Sequence, residues 1–157
     1  MKNLIIIIAL IFTSVVGAQQ NKYQKFYSDF EDLDGITTIS INKAMFKMLG
    51  SINLDEDVKE LTPLFKKMNS IKMVIYDGNK NKDIKAKLKS EFQNLNLEEL
   101  MAINNEGNKV KFYTENSTSE IFKNLMLNIS SVDELIYIIL DGEIKAEDLG
   151  NMIKKAE

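Results

Sequence analysis

The order of helix-like and strand-like segments limits the fold of this chain more than any other feature of its sequence. Up to residue 94, two strand patterns, 36–41 and 71–76, lie among helical ones. After that point four strand patterns follow one another, at 97–104, 109–115, 121–129 and 135–140. Successive strands with short connections form hairpins. The segregation predicts an α+β fold, an antiparallel β-sheet made of a four-strand C-terminal meander plus one or two earlier strands, with helices packed mainly on one face.

Residue types and turn residues define the individual strands. Ile36 to Ile41 is rich in β-branched residues, and Leu135 to Leu140 is a continuous apolar run typical of a central strand. The turn residues Asp141-Gly142 are predicted to close that last strand. In 121–129 strict alternation predicts two faces. Ile121, Leu125, Leu127 and Ile129 belong to one face, and Phe122, Asn124, Met126 and Asn128 to the other.

An aromatic stripe marks the first helix, predicted over residues 21–32. Its members, Tyr23, Phe26, Tyr27 and Phe30, recur at the spacing of one helix face. Such a stripe usually packs on a core, and the alternative is an exposed platform for a ligand.

Further helices are predicted at 54–69, 81–94 and 144–155, besides a short one capped by Asn42. The short helix carries the apolar stripe Ala44, Met45, Met48 and Leu49. Pro63 conflicts with a helix interior, so it either occupies the first helical position or kinks the helix, and the sequence leaves both open.

The N-terminal segment has the order of a secretory signal. Lys2 precedes the apolar run 4–12, and Val16-Gly17-Ala18 supplies the small residues of a cleavage site. We therefore expect residues 1–18 to be a signal peptide and 19–157 a single α+β domain, periplasmic or secreted, with no Cys for a lipid anchor. The alternative is a buried N-terminal element of a cytosolic domain.

Missing residue types exclude several chemistries. The chain has no Cys, no His and no Trp, and all 20 of its basic side chains are Lys. It therefore has no disulfide, no thiol or imidazole catalyst and no Cys or His ligand for zinc. A net charge of −3 argues against nonspecific nucleic-acid binding.

No catalytic, cofactor-binding or metal-binding residue is assigned from motifs. The acidic segment 29–35 fails as a calcium loop, because Phe30 and Ile41 stand where that loop needs carboxylates. One Ser-x-x-Lys pair, Ser40 and Lys43, crosses a strand–helix junction and lacks the other signatures of that chemistry. Paired carboxylates for a hydrolase are available, since the chain has 23 acidic residues.

A lysine cluster is the one candidate binding feature. Lys82, Lys85 and Lys89 share a face of the helix at 81–94 and are predicted to bind an anionic head group or glycan weakly. The alternative is a solvated helix face.

The chain resembles the bacterial secreted domain-of-unknown-function family 4252 (DUF4252). The resemblance rests on segments 37–45, 71–76 and 135–144, followed by Asp148 and Leu149. It implies a small α+β protein of the envelope or periplasm, and it supplies no site residue.

These observations predict a non-catalytic envelope protein that binds a protein, peptide or lipid, without a cofactor, a nucleic-acid partner or a transmembrane segment after signal cleavage. The sequence is also compatible with the formation of homo-oligomers. Candidate contact surfaces are the 23–30 stripe and the meander face bearing Phe122 and Met126. The alternatives are a carrier of an apolar ligand, which needs an apolar cavity, and a carboxylate-dependent hydrolase, which needs a carboxyl group of raised pKa.

Overall fold

The strand-rich order of the sequence produces one continuous antiparallel sheet. The computed structural model describes residues 21–49, 66–78, 82–105 and 107–149. Its helices are α1 (Lys22–Ser28), α2 (Lys43–Leu49) and α3 (Lys82–Asn94). Its strands are β1 (Ile36–Asn42), β2 (Met68–Asp77), β3 (Glu98–Asn105), β4 (Asn108–Thr114), β5 (Ile121–Ser130) and β6 (Glu134–Lys145). The six strands lie in the order β1-β2-β6-β5-β4-β3. This confirms an α+β fold with an antiparallel sheet.

The apolar run of β6 explains the topology. Strands β3 to β6 form the predicted meander, in which each strand pairs with the next. On its other side β6 pairs with β2, so that the run 135–140 lies at the centre of the sheet and has hydrogen-bonding neighbours on both sides. A strand buried in this way has no polar face to present, which is why its sequence is continuously apolar.

The aromatic stripe of the first helix packs on one face of the sheet. Tyr23, Phe26 and Tyr27 are buried together with Phe30, which follows the helix in a turn. The centre of the Phe26 ring lies 5.3 Å from the centre of the Phe30 ring and 5.4 Å from the centre of the Tyr137 ring on β6. Leu88 of α3 joins the same cluster. The core interpretation of the stripe is confirmed, and the exposed-platform alternative is wrong.

A second buried cluster lies on the opposite face. Its centre is formed by Leu125 and Leu140, and Phe46 of α2 packs against it. Leu149, in the helical residues 146–149, closes the cluster at one end. Because helical residues contribute to clusters on both faces, the expectation that helices cover mainly one face is not confirmed.

Strand β6 continues past the turn residues that were predicted to end it. Gly142 lies inside the strand and pairs with Met68, and helical structure begins at residue 146 instead of 144. The pair Asp141-Gly142 has the composition of a turn, but the missing side chain of Gly142 instead lets β2 approach. A Cβ on Gly142 would lie 2.6 Å from the carbonyl oxygen of Lys67.

The register between β5 and β6 shifts beside Gly142. This shift corrects the prediction for the two faces of β5. The shift lies between Phe122 and Asn124. Phe122 therefore joins the second cluster with Leu125, whereas Met126 joins the first. Both side chains are buried, so Phe122 and Met126 do not form the candidate contact surface.

The short helix α2 also turns a different side to the core than predicted. Asn42 caps it as expected, since its Oδ1 accepts hydrogen bonds from the backbone N–H groups of Ala44 and Met45. However, Phe46 is buried, while Met45 and Met48 are 46% and 57% exposed. The helix follows β1 without a loop, so the exit of the strand sets its orientation.

The predicted helix at 54–69 lies largely outside the described residues, as does Pro63. Residues 66–67 are helical, and β2 begins at Met68, three residues before its predicted start. The part of the helix 144–155 beyond residue 149 is likewise outside the described range.

Candidate functional site

The sheet end where β3, β4 and β5 meet the helical residues 146–149 contains an apolar pocket. Its volume is about 310 Å³, within the lower range of small-molecule sites. The lining residues are Leu100, Met101, Phe112, Ser117, Ser119, Phe122, Ala146 and Leu149. Hydrocarbon groups dominate this lining, and the two serines supply polar groups.

The loop between β4 and β5 forms one wall of the pocket and is held by hydrogen bonds to side chains. A carboxylate oxygen of Glu98 accepts a hydrogen bond of 2.8 Å from the backbone N–H of Ser117. The Asn116 side chain accepts hydrogen bonds from both the N–H and the hydroxyl of Thr118. The Ser119 hydroxyl donates to the carbonyl of Ile121 at 2.6 Å. These bonds fix the backbone positions of Ser117 and Ser119.

Asp148 fixes the opposite wall. Its Oδ2 accepts hydrogen bonds from the backbone N–H of Lys145 at 3.1 Å and from the Nζ of Lys67 at 2.9 Å. The ammonium group of Lys67 lowers the pKa of Asp148 below its ordinary value. Ala146 donates its N–H to the carbonyl of Glu120. The start of the helical segment is thus joined both to the residue before β2 and to the β4–β5 loop.

A smaller polar pocket of about 240 Å³ adjoins the apolar one and shares Ser119 and Phe122 with it. Its other lining residues are Thr114, Glu115, Asn116, Ile121, Lys123 and Asn124. The Oδ1 of Asn124 is buried and has no hydrogen-bond partner among the described residues. Together the two pockets place hydrocarbon and charged surfaces side by side.

Tyr23 lies near the acidic residue of the polar pocket. Its burial, and then the nearby Glu115 carboxylate, raise the pKa of Tyr23 well above its ordinary value. Glu115 also forms an ion pair of 3.1 Å with Lys22. These residues connect α1 to the end of β4, so the first helix supports this end of the sheet.

The predicted lysine cluster lies on α3, and its members line neither the apolar nor the polar pocket. Lys82 and Lys89 are exposed, and Lys85 is half-buried, with its Nζ 5.9 Å from the centre of the Tyr76 ring. Neighbouring Lys87 lies over the Phe30 ring in the same manner. Weak binding of an anionic head group by Lys82, Lys85 and Lys89 stays a prediction.

The other sequence candidates do not come together as sites. Asp32, Asp34 and Asp83 line a surface depression with Lys87. No group of three or more acidic side chains suited to a metal ion occurs among the described residues. Lys43 of the Ser-x-x-Lys pair donates a hydrogen bond to Asn69. No helix in the described ranges is long and apolar enough to cross a membrane.

The pocket residues were missed by sequence reasoning. Leu100, Phe112 and Phe122 belong to three separate strands and come together only through strand pairing. The one local signal was the polar segment 115–120 between two strands, which is typical of a loop, and loops often carry functional residues.

Replacing Glu98 with alanine is expected to release the β4–β5 loop, because the N–H of Ser117 loses its acceptor. That hydrogen bond lowers the pKa of Glu98 below its ordinary value of 4.5. The interaction is therefore complete above pH 4.5 and is lost as the pH falls through the lowered pKa. The amide proton shift of Ser117, followed by NMR during a pH titration, measures this transition.

Glu98→Gln is the matched control for that titration, since its amide oxygen still accepts a hydrogen bond but does not titrate. We expect a low-pH transition at Ser117 in the original protein and none in either variant. A Ser117 shift that is insensitive to Glu98→Ala would contradict the proposed anchoring.

Comparison with known proteins finds one family. The model of the "Domain of unknown function (DUF4252)" matches residues 27–152, which is most of the chain. No curated protein and no solved structure matches this chain.

Proposed function

The chain belongs to the DUF4252 family, and we propose that within it this protein is a non-catalytic, exported binding protein whose pocket holds the apolar chain of a lipid-like ligand. The observation that carries the proposal is the apolar pocket at the β3–β4–β5 end of the sheet. Export is supported by residues 1–18, which have the order of a secretory signal.

The composition of the pocket favours a hydrocarbon ligand. Most of its lining is hydrocarbon, from residues such as Leu100, Met101 and Phe112. Transferring an apolar group from water to such a surface is favourable by about 25 cal/mol for each Å² buried. The neighbouring polar pocket, with Glu115 and Lys123, offers charged groups for the polar end of the same ligand.

The hydrolase alternative has less support from this geometry. A hydrolytic pocket needs a carboxyl group among its lining residues, with a pKa raised toward neutrality. The apolar pocket is lined by no acidic residue in the described part of the chain. The neighbouring carboxyl groups of Glu98 and Asp148 have lowered pKa values.

Filling the pocket tests the proposal. Ala146 lines the pocket and is otherwise exposed, so Ala146→Phe adds a ring to the pocket with little demand on the core. We expect the protein to bind the fluorescent apolar probe N-phenyl-1-naphthylamine. A long-chain fatty acid should displace the bound probe by competing for the same pocket. The added ring should weaken probe binding by at least about tenfold, or about 1.4 kcal/mol.

The matched control is Ala86→Phe, the same change at an exposed position of α3 away from the pocket. It should leave the dissociation constant of the probe unchanged. Equal effects of the two variants would place the probe elsewhere, and an absence of probe binding to the unaltered protein would refute the proposal.

A further inference from the structure

Among the described residues, strand β1 forms one edge of the sheet. All seven of its residues pair with β2 on one side, and the structure places no other described strand beside it. Backbone N–H and C=O groups on such an edge can pair with another chain. Natural proteins therefore protect edges with charges, proline or bulges.

The opposite edge, β3, has this protection. It begins with Glu98 and Glu99, and its register breaks between Glu99 and Met101. Glu99 also forms an ion pair of 2.7 Å with Lys111 on the neighbouring strand. Charge and an irregular backbone both disfavour the addition of another strand to this edge.

Strand β1 has none of these devices. Its sequence, Ile-Thr-Thr-Ile-Ser-Ile-Asn, contains no charge and no proline, and its register with β2 is unbroken. Ile39, at its centre, is 39% exposed. Three of the five large apolar side chains that are exposed in the described residues, Ile39, Met45 and Met48, belong to β1 and the helix that follows it.

We infer that a second copy of this chain pairs with β1, antiparallel and centred on Ile39, so that one sheet runs across both copies. This goes beyond the proposed binding function and does not depend on it. The two-fold arrangement places Ile39 opposite its own symmetry copy. Thr38 then faces Ser40, and hydroxyl pairs of this kind stabilise neighbouring strands.

Charge distribution favours a second copy over a charged peptide. The strand offers no charged side chain to a foreign partner, and self-pairing brings no like charges together. At the ends of the paired strands, exposed Asp34 of one copy comes near exposed Lys43 of the other, because the first precedes β1 and the second follows it. The edge is thus complementary to itself.

The absence of cysteine from the chain allows a direct test. In an antiparallel pair, opposed Cα atoms are about 4.5–5.5 Å apart, which lies within the range of disulfide geometry. In the full chain, Ile39→Cys should therefore form an intermolecular disulfide under mild oxidation. Ile121→Cys is the matched control, since Ile121 is similarly exposed, at 47%, but lies on β5.

We expect the Ile39→Cys variant to cross-link at least about tenfold faster than the control, because pairing raises the effective thiol concentration. In sedimentation equilibrium, Ile39→Lys should weaken the dimer by at least about tenfold, since it opposes two like charges, whereas Ile121→Lys should not. Unchanged far-UV circular dichroism confirms that each variant is folded.

Two results would overturn the inference. One is that the unaltered protein sediments as a monomer at every concentration. In that case the partner of β1 would be an extended segment of another protein and not a second copy of this chain. The other is equal cross-linking rates at positions 39 and 121, which would mean that collision alone brings the thiols together.

Discussion

Replacing Phe30 with alanine is expected to lower the free energy of unfolding by about 3–5 kcal/mol, the usual cost of removing a fully buried phenylalanine. The Phe30 side chain is 0% exposed and contacts the Phe26 ring, which in turn packs on Tyr137 of the central strand. Its loss leaves a cavity between α1 and the sheet. Denaturant unfolding followed by circular dichroism gives the difference directly.

Val132→Ala provides the comparison, because Val132 is 83% exposed and its truncation should cost less than about 0.5 kcal/mol. If Phe30→Ala were no more destabilising than Val132→Ala, the aromatic stripe would not be part of the core.

The second large effect is expected from Gly142→Ala. A Cβ at this position would lie 2.6 Å from the carbonyl oxygen of Lys67 and 2.8 Å from the Cα of Met68. Since both neighbours are backbone atoms, β2 and β6 must separate locally, at a cost of about 3 kcal/mol. Thermal and denaturant unfolding measure the loss.

Gly107→Ala separates this steric effect from conformational strain. Gly107 has a φ of +86°, and no heavy atom lies within 4 Å of the position that a Cβ would occupy, so alanine there should cost only about 1 kcal/mol. Equal destabilisation by the two substitutions would mean that β2 does not approach β6 closely at Gly142.

Strand positions were predictable from sequence where the local pattern and the tertiary environment agree. The run Leu135–Leu140 is apolar on both sides because β6 is covered on both faces, and its central position followed from that alone. On α3, Ile84, Leu88 and Phe92 follow one another at intervals of four residues, the spacing of one helix face, and all three belong to or pack against the first cluster.

The errors arose where non-local contacts decide the conformation. Gly142 has the local signature of a turn, yet its role is to admit the distant strand β2 at Met68. The faces of Phe122 and Met126 depend on a register shift against β6 that no local pattern encodes. The pocket is beyond sequence reasoning for the same reason, since strand pairing creates it.

The position of β6 has a consequence for how the chain folds. This strand is the last of the six in the sequence and occupies the interior of the sheet, between β2 and β5. Strand β2 is therefore synthesised long before β6, the strand that completes its hydrogen bonding. Contacts of such high sequence separation slow folding. The N-terminal part of the sheet cannot be completed before residues 134–145 are available. This delay is compatible with the export proposed above, because a polypeptide whose sheet is still incomplete can pass through a secretion channel.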